Sequence, residues 1–95
     1  MMPGGFGDVM EVDEDVKILA KNMKEKVEET LGETFEIYEP ILYTTQVVAG
    51  TNYKIKVKVG DEKYVHIKVF VPLPCNNAPN QLTSQEAGKT LADAL

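Results

Sequence analysis

His66 and Cys75, the chain's single histidine and single cysteine, are the one pair whose types could supply a nucleophile and its base. Their placement speaks against that chemistry. His66 falls on an outward position of an alternating strand pattern, Cys75 lies in a Pro- and Asn-rich loop beyond that strand's end, and no acid is evident to orient the histidine. Cys75 reads instead as an unreactive thiol, or as one open to a partner or an intermolecular disulfide. More informative is Gln46-Val47-Val48-Ala49-Gly50, an apolar segment at the joint between two strand patterns. Hairpin joints favour Asn, Asp and Gly, which tolerate the turn's backbone angles, so two β-branched valines there sacrifice turn quality and offer greasy surface to water. Apolar surface of that kind points to docking on another molecule rather than to bond-making.

The elements that hold this segment are legible as changes of period. Val12, Val16, Leu19, Met23, Val27 and Leu31 recur at intervals of three and four among Lys and Glu, which predicts one amphipathic helix with a single apolar stripe. Asp13 is placed to cap its start, with Glu14 and Asp15 complementing the helix dipole, and Gly32 to stop it. Beyond Gly32 the period falls to two. Phe35, Ile37, Ile41, Tyr43, Thr45 and Val47 share one parity, interrupted at Pro40, where a bulge or a join of strands is expected because proline donates no ladder hydrogen bond. Tyr53, Ile55, Val57 and Val59 alternate with Lys54, Lys56 and Lys58. After the turn signal Gly60-Asp61-Glu62, Val65, Ile67, Val69 and Val71 alternate with His66 and Lys68. Residues 1–11 lack a period and read as a flexible arm, and residues 73–80 as a loop. Gln81 to Leu95 is the least legible stretch: Leu82-Thr83 suits a short final strand, and Leu91 to Leu95 has helical composition and invites fraying.

One helix followed by an antiparallel meander is an α+β domain, with the helix stripe laid across the sheet so that both apolar faces are buried together. In a meander every second connection falls at the same end of the sheet. The joint at residues 48–52 and the loop at residues 73–80 should therefore lie side by side, and the N-terminal arm can reach that end.

Composition narrows the function further. With 95 residues there is room for a single domain and one modest core. A net charge of -5 argues against a nucleic-acid partner, and the alternating lysines read as a solvated strand face rather than a polyanion site. No apolar run approaches a membrane-crossing length. A lone cysteine and a start without basic and apolar signal regions fit a reducing, cytoplasmic setting, with export by an unconventional route left open.

Four motifs converge on one family. Gly4-Gly5 behind Met2-Pro3, QVVAG followed by Thr51-Asn52-Tyr53, the stretch Tyr64-Val65-His66-Ile67-Lys68-Val69-Phe70, and Leu73-Pro74 together resemble the stefins, the intracellular type 1 cystatins. The resemblance spans residues 1–74. It implies a cystatin-like α+β fold, one helix packed across four or five antiparallel strands, and no enzyme, metal or cofactor. It further implies reversible, tight, competitive inhibition of papain-like cysteine proteases such as the cathepsins. The protease-binding residues carried over are Pro3, Gly4 and Gly5 in the arm, Gln46, Val47, Val48, Ala49 and Gly50 in the first loop, and Leu73 and Pro74 in the second. Gly4 is then the point of closest approach to the catalytic cysteine. Cys75 stands where the stefin pattern more often has glycine, and residues 81–95 depart from that pattern, which usually carries a last strand and a polar tail. The chain is expected to act as a monomer. The competing reading is a non-inhibitory interaction module, in which the QVVAG hinge opens and two chains exchange the helix and its neighbouring strand.

Overall fold

The computed structural model of the chain describes residues 6–73 and 78–95. Five strands and two helical segments follow in the order β1 (Met10–Glu11), α1 (Glu14–Asn22), α2 (Lys24–Leu31), β2 (Glu39–Val48), β3 (Gly50–Gly60), β4 (Lys63–Val71) and β5 (Gln81–Lys89). The strands form one antiparallel sheet in chain order. Asp13 caps α1 through an acceptor bond from the Val16 amide at 2.9 Å, and Gly32 ends α2 in the left-handed region at φ 70°, its N–H on the Glu28 carbonyl.

The expected single helix is bent. At Met23 (φ -94°, ψ -6°) one amide bonds back three residues, to Ala20, before the usual spacing resumes with Val27 N–H to Met23 O at 2.9 Å. The apolar stripe survives the bend, since Val16, Leu19, Ala20, Met23 and Val27 are all buried. With the bend, α1 lies over β2 while α2 reaches β5, so the stripe follows the diagonal of a twisted sheet. Its counterpart is the row Ile55, Val57, Val65, Ile67 and Val69.

The segment after Gly32 is fastened to the helix rather than to the sheet. The Phe35 amide donates to Glu28 Oε2 at 2.7 Å, and the Tyr38 hydroxyl to the Ala20 carbonyl at 2.8 Å. Burial and the nearby Glu28 carboxylate hold the Tyr38 phenol far above its usual range. Phe35 and Ile37 therefore do not extend β2, which starts at Glu39. The expected irregularity at Pro40 is present as a register shift between Pro40 and Leu42.

Three other expectations are corrected. Residues 7–11 of the arm are not free: Gly7 N–H donates to Thr45 O at 2.9 Å and Met10 and Glu11 pair with Tyr43 and Leu42, while Val12 just beyond donates its N–H to Ile41 O. The end of the chain is neither a two-residue strand nor a helix. β5 runs nine residues, and the segment after it turns back over the sheet face that carries the lysines. There the side chain of Lys56, expected in solvent, is only 1% exposed, its Nζ donating to the Thr90, Leu91 and Asp93 carbonyls at 2.7 Å each. Burial lowers the affinity of that amine for its proton, and the Asp93 carboxylate pulls the other way.

Candidate functional site

The sequence-derived binding residues that lie within the described chain gather at one end of the sheet. The β2–β3 hairpin is tight: pairing continues through Val47 with Thr51 to Val48 with Gly50, leaving Ala49 at the tip. Gln46 and Asn52, partners across the ladder, are also tied by a side-chain bond from Asn52 Nδ2 to Gln46 Oε1 at 2.9 Å. The amide pair locks the base of the tip. Beyond it Val47 is 74% and Val48 44% exposed, and both are β-branched side chains with few rotamers to lose.

Gly50 has a different part. It is buried, with φ 124°, and a Cβ there would stand 2.7 Å from the Val71 carbonyl oxygen and 2.8 Å from the Phe70 ring. Only glycine lets the hairpin lie this close against β4. Since Thr51 pairs with Val71, the start of the second loop is beside the first hairpin, and Leu73 stands 44% exposed two residues on. Pro74, with Cys75, lies outside the described residues.

The arm leads to the same end. It runs antiparallel to β2, so passing from Met10 back to Gly7 moves from Tyr43 to Thr45, toward the hairpin tip. The Gly7 carbonyl accepts from Thr44 Oγ1 at 2.7 Å, and Thr44 is buried beneath it. Phe6 lies on the lysine face, its ring centroid 4.3 Å from Lys54 Nζ and 5.7 Å from Lys68 Nζ. Pro3, Gly4 and Gly5 lie outside the described residues.

The rim so formed carries no ionisable group from Gln46 to Asn52 or from Phe70 to Leu73. Covering it therefore strips water from apolar, amide and hydroxyl groups only, which avoids the heavy cost of desolvating charge. His66 is elsewhere. It pairs with Lys56, five residue steps along the ladder from the Thr51–Val71 pair, or about 17 Å at strand rise. Its Nε2 is sealed without a hydrogen-bond partner among the described residues, and burial first, then Lys56 and Lys89, hold the imidazole below 6.5, against Glu86 and Asp93. An imidazole with its Nε2 buried this far from the rim has no part in proton exchange there.

Phe6, its two lysines and Phe70's fit against Gly50 went unread in the sequence. Phe6 is a lone aromatic in an aperiodic segment. A signal was present for Gly50, because a glycine closing an apolar hairpin tip marks close backbone approach.

A bent helix across an antiparallel sheet, ending in an uncharged two-loop rim, defines the cystatin-like α+β class. The chain belongs to the cystatin family: the model of the cystatin domain matches residues 4–91. Full-length relatives agree. Cystatin-A1 of Sus scrofa is 43% identical over 95 residues, covering 100% of this chain and 92% of the relative, and Cystatin-A of Homo sapiens is 41% identical, covering 100% and 97%. Leukocyte cysteine proteinase inhibitor 1 of Sus scrofa is 41% identical, covering 100% and 92%. The resemblance to the stefins is thereby borne out, extending through the C-terminal residues.

Proposed function

We propose that the chain is a reversible, tight-binding, competitive inhibitor of papain-like cysteine proteases, cathepsins among them, acting as a monomer in the cytoplasm. The observation that carries this reading is the convergence of exposed, uncharged Val47, Val48 and Leu73 with the arm's outlet at one end of a sheet braced by Gly50. The likeness along the chain's whole length to Leukocyte cysteine proteinase inhibitor 1 of Sus scrofa supports it.

The mechanism follows from the residue types. Gln46 to Gly50, with Leu73 and Pro74, fills the cleft on the leaving-group side of the catalytic cysteine, and Pro3, Gly4 and Gly5 pass along the other side. Gly4 lacks a Cβ, so its backbone runs close to the thiolate and bends away without presenting a carbonyl in line for attack. The hairpin, already rigid, loses little entropy on docking and supplies affinity. The arm chiefly slows departure.

Titrating papain with purified chain under reducing conditions tests this. Activity should fall linearly to zero at one equivalent of monomer. A monomer that leaves papain fully active overturns the reading, and an inert dimer on size exclusion would favour strand exchange at the hinge instead. In stopped-flow measurements, deleting residues 1–5 or introducing Gly4→Arg should raise the dissociation rate more than it lowers the association rate.

A further inference from the structure

We propose that Phe6 is a positioning residue, its ring clamped over Lys54 and Lys68 so as to fix the point from which residues 1–5 extend. The inference rests on the inhibitory reading above and extends it to a residue outside the three binding segments.

Lys54 and Lys68 are direct partners across the β3–β4 ladder. Like charges set side by side on one face repel, so such a pair needs a counterpart. The face of the Phe6 ring serves as that counterpart for both ammonium groups, at 4.3 and 5.7 Å. One residue further on the backbone is held twice, by Gly7 N–H to Thr45 O at 2.9 Å and by Thr44 Oγ1 to Gly7 O at 2.7 Å. Phe6 itself is half-buried. The ring thus adds a third fastening, on the lysine face, to a strand end that makes two hydrogen bonds.

Pinning at residue 6 sets the length of the leash. Five residues span at most about 17 Å, which bounds how far residues 1–5 reach from that point. Without the clamp that end is held by the two Gly7 bonds alone, and when these open as well and the chain peels back to Met10, where ladder pairing begins, the leash grows to nine residues. Local concentration falls as the three-halves power of leash length, about two- to threefold here. The lost direction adds to that.

The test compares dissociation from papain for the parental chain, Phe6→Leu and Phe6→Trp, each with and without residues 1–5. Leucine keeps apolar bulk and removes the ring face, whereas tryptophan keeps it. Phe6→Leu should dissociate up to about threefold faster, with association nearly unchanged, Phe6→Trp should match the parent, and the leucine effect should vanish when residues 1–5 are absent. In the free protein, the ε-methylene protons of Lys54 and Lys68 should show upfield ring-current shifts that Phe6→Leu abolishes. Parental dissociation in Phe6→Leu, equal acceleration without the arm, or unshifted lysine protons each overturns the inference while the inhibitory reading stands. A parental chain that inhibits nothing overturns both.

Discussion

Gly50 and His66 are two residues whose roles are set by what is missing around them. At Gly50 there is no room for one methyl group: the nearest atoms are a backbone carbonyl, which cannot move aside, and the edge of the Phe70 ring, which can. Gly50→Ala should therefore destabilise the chain by about 2–4 kcal/mol in urea unfolding, from overpacking plus a φ that alanine disfavours. Adding Phe70→Leu should recover only part of that, since the Val71 carbonyl stays. At His66 the missing element is a partner for Nε2, and the ring faces Lys56 on β3, Lys89 and Glu86 on β5, and Asp93 beyond it. The folded chain keeps this imidazole neutral below 6.5, while the unfolded chain takes up a proton near that pH. Its contribution to stability is intact above 6.5 and declines as pH falls through the window beneath, with a slope of at most about 1.4 kcal/mol per pH unit. Unfolding free energies measured from pH 7.5 to 5 should show that slope, and His66→Gln should flatten it. An unchanged slope in the variant would assign the loss to other groups.

Among the elements, legibility followed the range of the interaction. The Asp13 cap, the Gly32 stop and the Pro40 irregularity depend on residues within a turn or a ladder step, and each stands where the sequence puts it. β5 does not depend on its own residues in that way. Gln81 to Lys89 offers almost no apolar alternation, so its nine-residue course is imposed by the unpaired edge of β4, and the pairing slips twice along it. Lys56 is a sharper case, because Lys54, Lys56 and Lys58 are equivalent by alternation. What separates them is a set of carbonyls 34 to 37 residues further along the chain. Lys56→Met should release that terminal segment: backbone amides of residues 90–95 should exchange faster with solvent. Global stability should change by no more than about 1 kcal/mol, since apolar packing replaces a desolvated ammonium as its carbonyl partners turn to water. Unaltered exchange would mean that the segment is held by something other than the lysine.

At the scale of the whole molecule, folding and the proposed docking draw on different surfaces. The core is a single cluster between the helical stripe and the Ile55, Val57, Val65, Ile67, Val69 row. The rim lies at the end of the sheet, outside that cluster. Its position was readable from topology alone, since alternate meander connections share an end, but its bracing was not, because Phe70 meets Gly50 only once β3 and β4 are in register. The separation has a measurable consequence at Val48, which is 44% exposed and packs into no core contact that folding requires. Val48→Asp should leave the urea midpoint within about 0.5 kcal/mol of the parent. The same change should weaken inhibition of papain by at least about 1–2 kcal/mol, from lost apolar burial and the cost of taking a carboxylate into a closed cleft. Gly50→Ala, by contrast, should lower stability and inhibition together, since it shifts the hairpin that presents the rim. If Val48→Asp inhibits as the parent does while folding normally, the first hairpin is not in the cleft, and Leu73 with the arm would have to supply the binding.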